Sequence, residues 1–123
     1  MNLTGFTDEQ KRALVDLLVL GMYADGNLDL IEDEKARRVL DTIQFPLDSD
    51  RQYFLDASFA RARKNNASPE AVRTFVAGIA KIIPAPAMRR EVYNVLEDSL
   101  SSDNKIAETE TKLLTIITEE FNL

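Results

Sequence analysis

An internal repeat limits what this chain can fold into more than any other feature. Residues 18–45, LVLGMYADGNLDLIEDEKARRVLDTIQF, return in weaker form as residues 96–121, LEDSLSSDNKIAETETKLLTIITEEF. The register pairs Leu18 with Leu96, Met22 with Leu100, Asp25 with Asp103, Gly26 with Asn104, Leu28 with Ile106, Glu32 with Glu110, Val39 with Ile117 and Ile43 with Phe121. The apolar matches would fit any two amphipathic helices. An aspartate followed seven residues later by a glutamate, at the same place in both copies, is more specific. Each copy therefore reads as a helix, an acidic turn and a second helix.

The rest of the chain has the same helical grammar. Thr7 with Gln10 is a capping-box signal, and Leu14, Leu17, Leu18, Gly21 and Met22 then form one stripe that ends at Asp25-Gly26. Asp29 and Glu32 suit the start of a second helix whose buried stripe is Ala36, Val39, Leu40 and Ile43, stopped by Phe45-Pro46-Leu47. Asp48 or Ser49 is placed to cap a third, running through Tyr53, Phe54, Leu55, Phe59 and Ala62. Ser68-Pro69-Glu70 starts a fourth, with Val72, Phe75, Val76, Ile79, Ala80 and Ile83. It is the most apolar helix and the expected centre of the core. Pro84-Ala85-Pro86 breaks it and opens a fifth, with Met88, Val92, Val95, Leu96 and Ser99 inward; the sixth spans about Ala107 to Phe121 through Leu113, Leu114 and Ile117. No strand alternation or hairpin turn intervenes. The expectation is an all-α single compact domain of about six helices, with acidic repeats at about 8–45 and 86–121 flanking basic middle helices at about 48–83.

Composition closes off several chemistries. The 123 residues, 45% of them hydrophobic, suffice to bury roughly two thirds of the unfolded chain's surface in one core. Having no Cys and no His, the chain lacks thiolate nucleophiles, disulfides, the usual zinc ligands and the usual near-neutral base. Walker, dinucleotide-binding and nucleophile-elbow motifs are absent. Neither a leader pattern nor a membrane-length apolar run appears, so a cytoplasmic protein without an integral membrane segment is expected. The net charge of −6 disfavours a nucleic-acid partner. It is segregated: residues 1–50 carry −6, 51–90 carry +6 and 91–123 carry −6. Two readings stand. The basic middle neutralises the acidic ends, or it offers Arg61, Arg63 and Lys64 to an acidic protein partner.

The motif ADGxLxxxE between two helices, present as Ala24 to Glu32 and echoed by Asp103 to Glu110, resembles the TerB-like domain of tellurite-resistance proteins. The resemblance covers nearly the whole chain. The second copy departs from it in carrying Asn104 where the first has Gly26. The family implies a helical fold and a context of metal or oxidative stress.

The acidic turns themselves allow two roles. A carboxylate at a helix C-terminus meets unsatisfied carbonyls, so Asp25 needs compensation, either from turn amides or from a cation. Asp-Gly-x-apolar-x-x-x-Glu is also the back half of an EF-hand loop, but Gly21, Tyr23, Ser99 and Ser101 stand where the front-half ligands would be. One turn is thus a weak, hydrated site, whereas convergence of Asp25, Glu32, Asp103 and Glu110 would make an oxygen site for calcium, magnesium or manganese. Glycoside hydrolysis is disfavoured by the lack of Trp and of a sugar-stacking cleft. The leading expectation is a non-enzymatic helical interaction module with a protein partner and an optional divalent cation. Its alternatives are a metal-dependent hydrolase using the same acids, and a plain adaptor without metal.

Overall fold

Helix starts and stops in this chain are set by side chains that complete backbone hydrogen bonding. At the first helix the Gln10 backbone N–H donates to Thr7 Oγ1 at 3.1 Å, and the Thr7 N–H donates to Gln10 Oε1 at 3.0 Å. This is the reciprocal box expected there. A computed structural model describes residues 2–25, 34–100 and 108–123, with only the backbone described at 24, 25, 34, 100 and 108–110. Among the described residues there are six helices and no strand: α1 Asp8–Asp25, α2 Glu34–Thr42, α3 Asp48–Asn65, α4 Pro69–Ile82, α5 Pro86–Leu100 and α6 Glu108–Glu120. They form a single compact all-helical domain, and no helix is long and apolar enough to cross a membrane.

The core is centred on α1, which packs against all five other helices. Ala13, Leu14, Val15, Leu17, Leu18, Val19, Leu20 and Met22 are all buried there, covering nearly the whole helix circumference. That corrects the expectation that α4 would be central. α4 buries Val72, Val76, Ile79 and Ala80 on one side but leaves Thr74 and Gly78 exposed on the other. A helix apolar all round belongs in the middle, and one with a single rich stripe belongs on the outside. Around α1, α2 packs chiefly on it, α6 touches α1, α4 and α5, and α3 and α4 barely touch each other although they are consecutive.

Several local expectations hold in detail. Ala36, Val39, Leu40 and Ile43 are the buried stripe of α2, and Ser68 accepts the Ala71 N–H at 3.1 Å ahead of Pro69. Two others are corrected. Leu47, in extended conformation, stands at the cap position of α3, with Asp48 already helical. Its free N–H donates to Asp50 Oδ2 at 3.2 Å, so the acid acts from inside the first turn. Tyr53 is 78% exposed, because the stripe of α3 is Leu55, Ser58 and Ala62 and three consecutive large side chains cannot share one face.

The end of α4 shows how the last elements are tied. Arg89 donates through Nη2 to the Ala80 carbonyl and through Nε to the Ile83 carbonyl, both at 2.7 Å, and through Nη1 to the Phe121 carbonyl at 3.2 Å. Gln10 Nε2 takes the Ile82 carbonyl at 3.1 Å. The carbonyls that Pro84 and Pro86 leave without helical donors are thereby satisfied by α1 and α5. The chain ends in a left-handed Asn122 (φ 57°), which lets the Leu123 N–H reach the Thr118 carbonyl at 3.0 Å.

Candidate functional site

The gap between α3 and α4 opens directly onto α1. Along α1 the residues Glu9, Arg12, Ala13 and Asp16 recur at helical spacing and form the floor of a cleft of 640 Å³. α3 supplies Phe54, Arg61 and Asn65 to one wall, and α4 supplies Thr74, Phe75, Gly78, Ile79 and Ile82 to the other. The volume lies in the range of about 300–1,000 Å³ usual for ligand clefts.

Asp16 interrupts the apolar run of α1, and its carboxylate is fully engaged by α3. Ser58 Oγ, on a residue only 1% exposed, donates to Oδ1 at 2.6 Å. Arg61 adds a two-pronged contact, Nη2 to Oδ1 at 2.9 Å and Nε to Oδ2 at 3.2 Å. A bidentate guanidinium and a buried hydroxyl are what a carboxylate needs to sit in an apolar helix, and they fix α3 against α1. Arg61 also lies 5.7 Å from the Phe54 ring.

Arg12 is arranged differently. Its guanidinium carbon lies 5.2 Å from the Phe45 ring and 5.7 Å from the Phe54 ring. No carboxylate among the described residues comes within ion-pair distance of it, whereas Arg51 and Arg61 each have one and Arg73 has two. Stacking leaves the edge donors of a guanidinium available to an oxyanion.

No family model, curated protein or solved structure matches this chain. The cleft is therefore interpreted from its own chemistry.

The residues singled out from sequence fall in different places. Asp25, Glu32, Asp103 and Glu110 lie outside the described side chains. Among the described residues no three acidic side chains gather as a metal site would require. Arg61 is turned into the cleft and bound to Asp16, while Arg63 and Lys64 are exposed and lie outside its lining. Arg51 pairs with Asp41 at 2.9 Å, and Arg73 with Glu119 at 2.8 Å and Glu120 at 2.9 Å. Those two carboxylates, Glu120 foremost, hold the Arg73 proton more firmly than usual. Three arginines of the basic middle segment, Arg51, Arg61 and Arg73, thus pair with carboxylates of both acidic ends.

Sequence reasoning missed Asp16 and Arg12, and it read Arg89, with Met88 and Arg90, as a candidate partner anchor where the structure has it clamping carbonyls. A signal existed for the first, since a lone acid inside ALVDLLVLG has to find a partner. For Arg12 and Arg89, periodicity marks only a polar position. Tyr93 is a further perturbed group: burial raises its hydroxyl above the usual value, the Glu97 carboxylate adds to this, and Thr118 and Arg90 act in the opposite direction.

Proposed function

We propose that this chain is a non-enzymatic helical interaction module, cytoplasmic and TerB-like in character, which takes a protein partner at the α1–α3–α4 cleft. The observation that carries the reading is the cleft itself: an open trough with a largely apolar wall on α4, whose central acid is already committed to Ser58 and Arg61. A carboxylate held by three donors is a structural group, not a free base, and the sequence supplies neither His nor Cys to replace it. The resemblance of Ala24 to Glu32 to the TerB-like turn supports a setting in metal or oxidative stress.

A photo-crosslinking residue at Thr74, exposed on the cleft wall, tests the proposal in the native host. It should capture a discrete partner that the same residue at Asp56, exposed outside the cleft lining, does not. Identical products from both positions, or turnover of generic phosphate or carboxylic esters by the purified chain, would overturn it.

The acidic turns add a second element to the proposal, a hard divalent cation held by Asp25 and Glu32 with Asp103 and Glu110, supported by the repeated spacing. Calorimetry of the metal-stripped protein with calcium, magnesium and manganese tests it. Binding heat should be lost in the Asp25→Ala, Asp103→Ala double variant; no heat and no shift in melting temperature at millimolar metal would remove the cation.

A further inference from the structure

Three features of the cleft leave bonding capacity or space open toward solvent. Gly78 sits in the middle of α4, is exposed, and lines the cleft. A Cβ built on it would meet nothing within 4 Å. Its backbone is ordinary helix, so neither steric closeness inside the molecule nor an unusual dihedral calls for glycine, and alanine would favour the helix more. Arg12 carries a guanidinium stacked on two rings and lacks a carboxylate among the described residues. Glu9, one turn earlier on the same stripe of α1, lines the same cleft and forms no ion pair among the described residues.

We propose that the cleft receives an amphipathic helix of a partner protein, its backbone drawn close at Gly78 and one of its acidic side chains paired with Arg12. The proposal rests on the interaction-module reading and gives that module's occupant a chemistry. A missing Cβ at an open position is used when another backbone approaches closely, and Thr74, one turn before Gly78, is the next exposed residue on that wall. Phe75 and Ile82, both only half-buried, provide the apolar surface for the partner's buried face, in the manner of helix-in-groove recognition. The charges set the orientation. Asp16 and Arg61 neutralise each other, leaving Arg12 to take a carboxylate and Glu9 to favour a basic residue one turn away on the incoming helix. A second copy of the chain fits poorly, since a two-fold contact would set this concave trough against an identical one.

Selection from a displayed library of 18-residue helical peptides with randomised faces tests the inference. Peptides enriched on the parent protein should share an apolar stripe, a small residue within it, and an acid at one edge. Affinity should fall by about tenfold or more in Arg12→Glu and in Gly78→Leu. Gly78→Ala should melt at a higher temperature than the parent yet bind more weakly, which separates loss of docking from loss of fold. No enrichment, or enrichment indifferent to Arg12→Glu and Gly78→Leu, would overturn it. A dimer in sedimentation that Gly78→Leu dissociates would overturn it in favour of self-association. If crosslinking from Thr74 still captures a partner when the library fails, the interaction module stands and the acidic helix falls.

Discussion

Leu14, Leu17 and Leu18 of α1 are buried, and so are Val92, Val95 and Leu96, which hold the same positions of the repeat in α5. Val15, Val19 and Leu20 are buried too, yet their counterparts are the half-exposed Tyr93 and the exposed Glu97 and Asp98. The two helices share one stripe and differ on the face that carries Val15 and Val19 in α1. A single stripe is enough for α5, which lies against α1 and α6; α1 packs against all five other helices and needs apolar residues around most of its circumference outside the cleft. Asp16 follows the same logic. Its counterpart Asn94 is exposed, whereas Asp16 is nearly enclosed and has to be held by Ser58 and Arg61.

One cross-helix contact is kept in both hairpins. Lys11 of α1 donates to the Thr42 carbonyl at the end of α2 at 3.1 Å, and Arg89, its counterpart in α5, donates to the Phe121 carbonyl just past the end of α6. The first contact is exposed and single. The second belongs to a three-carbonyl clamp that also closes α4.

The largest expected effect comes from giving α1 the residue that α5 carries. Leu20→Asp places an unpaired carboxylate in the core and should prevent folding, while Leu20→Ala should cost about 2–5 kcal/mol and Asp98→Ala no more than about 0.5 kcal/mol by urea unfolding. Equal costs at positions 20 and 98 would break the contrast between a central and a peripheral helix. Next, Arg89→Met should destabilise by about 2–3 kcal/mol by stranding carbonyls, against about 0.5 kcal/mol for Lys11→Met, whose carbonyl returns to water. Asp16→Ala should cost about 1–2 kcal/mol, and Asn94→Ala close to nothing in the same assay.

The smallest effect is alkaline. Because the Tyr93 hydroxyl is raised by burial and by Glu97, the unfolded chain loses that proton first as pH rises. Stability from this group is therefore full below the ordinary tyrosine value of 10.0 and is lost between that value and the raised one. Urea midpoints of Tyr93→Phe should fall less steeply than those of the parent above about pH 10, where tyrosine ordinarily ionises. Parallel slopes would leave Tyr93 without a part in the linkage.

Much of the fold is legible in the residues. Thr7 with Gln10, Ser68 with Pro69 and the double proline at 84 and 86 mark boundaries because they act on the backbone within a few residues of themselves. The stripe of α2 is legible for the same reason, since helical period alone decides which residues share its face. The cleft was not legible. Arg12, Asp16 and Gly78 look like polar, acidic and helix-weakening positions until α3 and α4 are seen to part over α1. The candidate cation residues Asp25, Glu32, Asp103 and Glu110 remain a property of spacing, carried by the repeat.

By itself, then, the sequence determined six helical segments, most of their inward faces, several of their ends and the charge balance between middle and flanks, all of which arise from interactions between near neighbours or from counts. Tertiary structure alone decided which helix is central, which arginine clamps carbonyls, which is bound to Asp16 and which stands over two rings. Those outcomes depend on partners far apart along the chain, 45 residues between Arg61 and Asp16 and 32 between Arg89 and Phe121. Local periodicity has no means of choosing among such partners; packing around α1 chooses them.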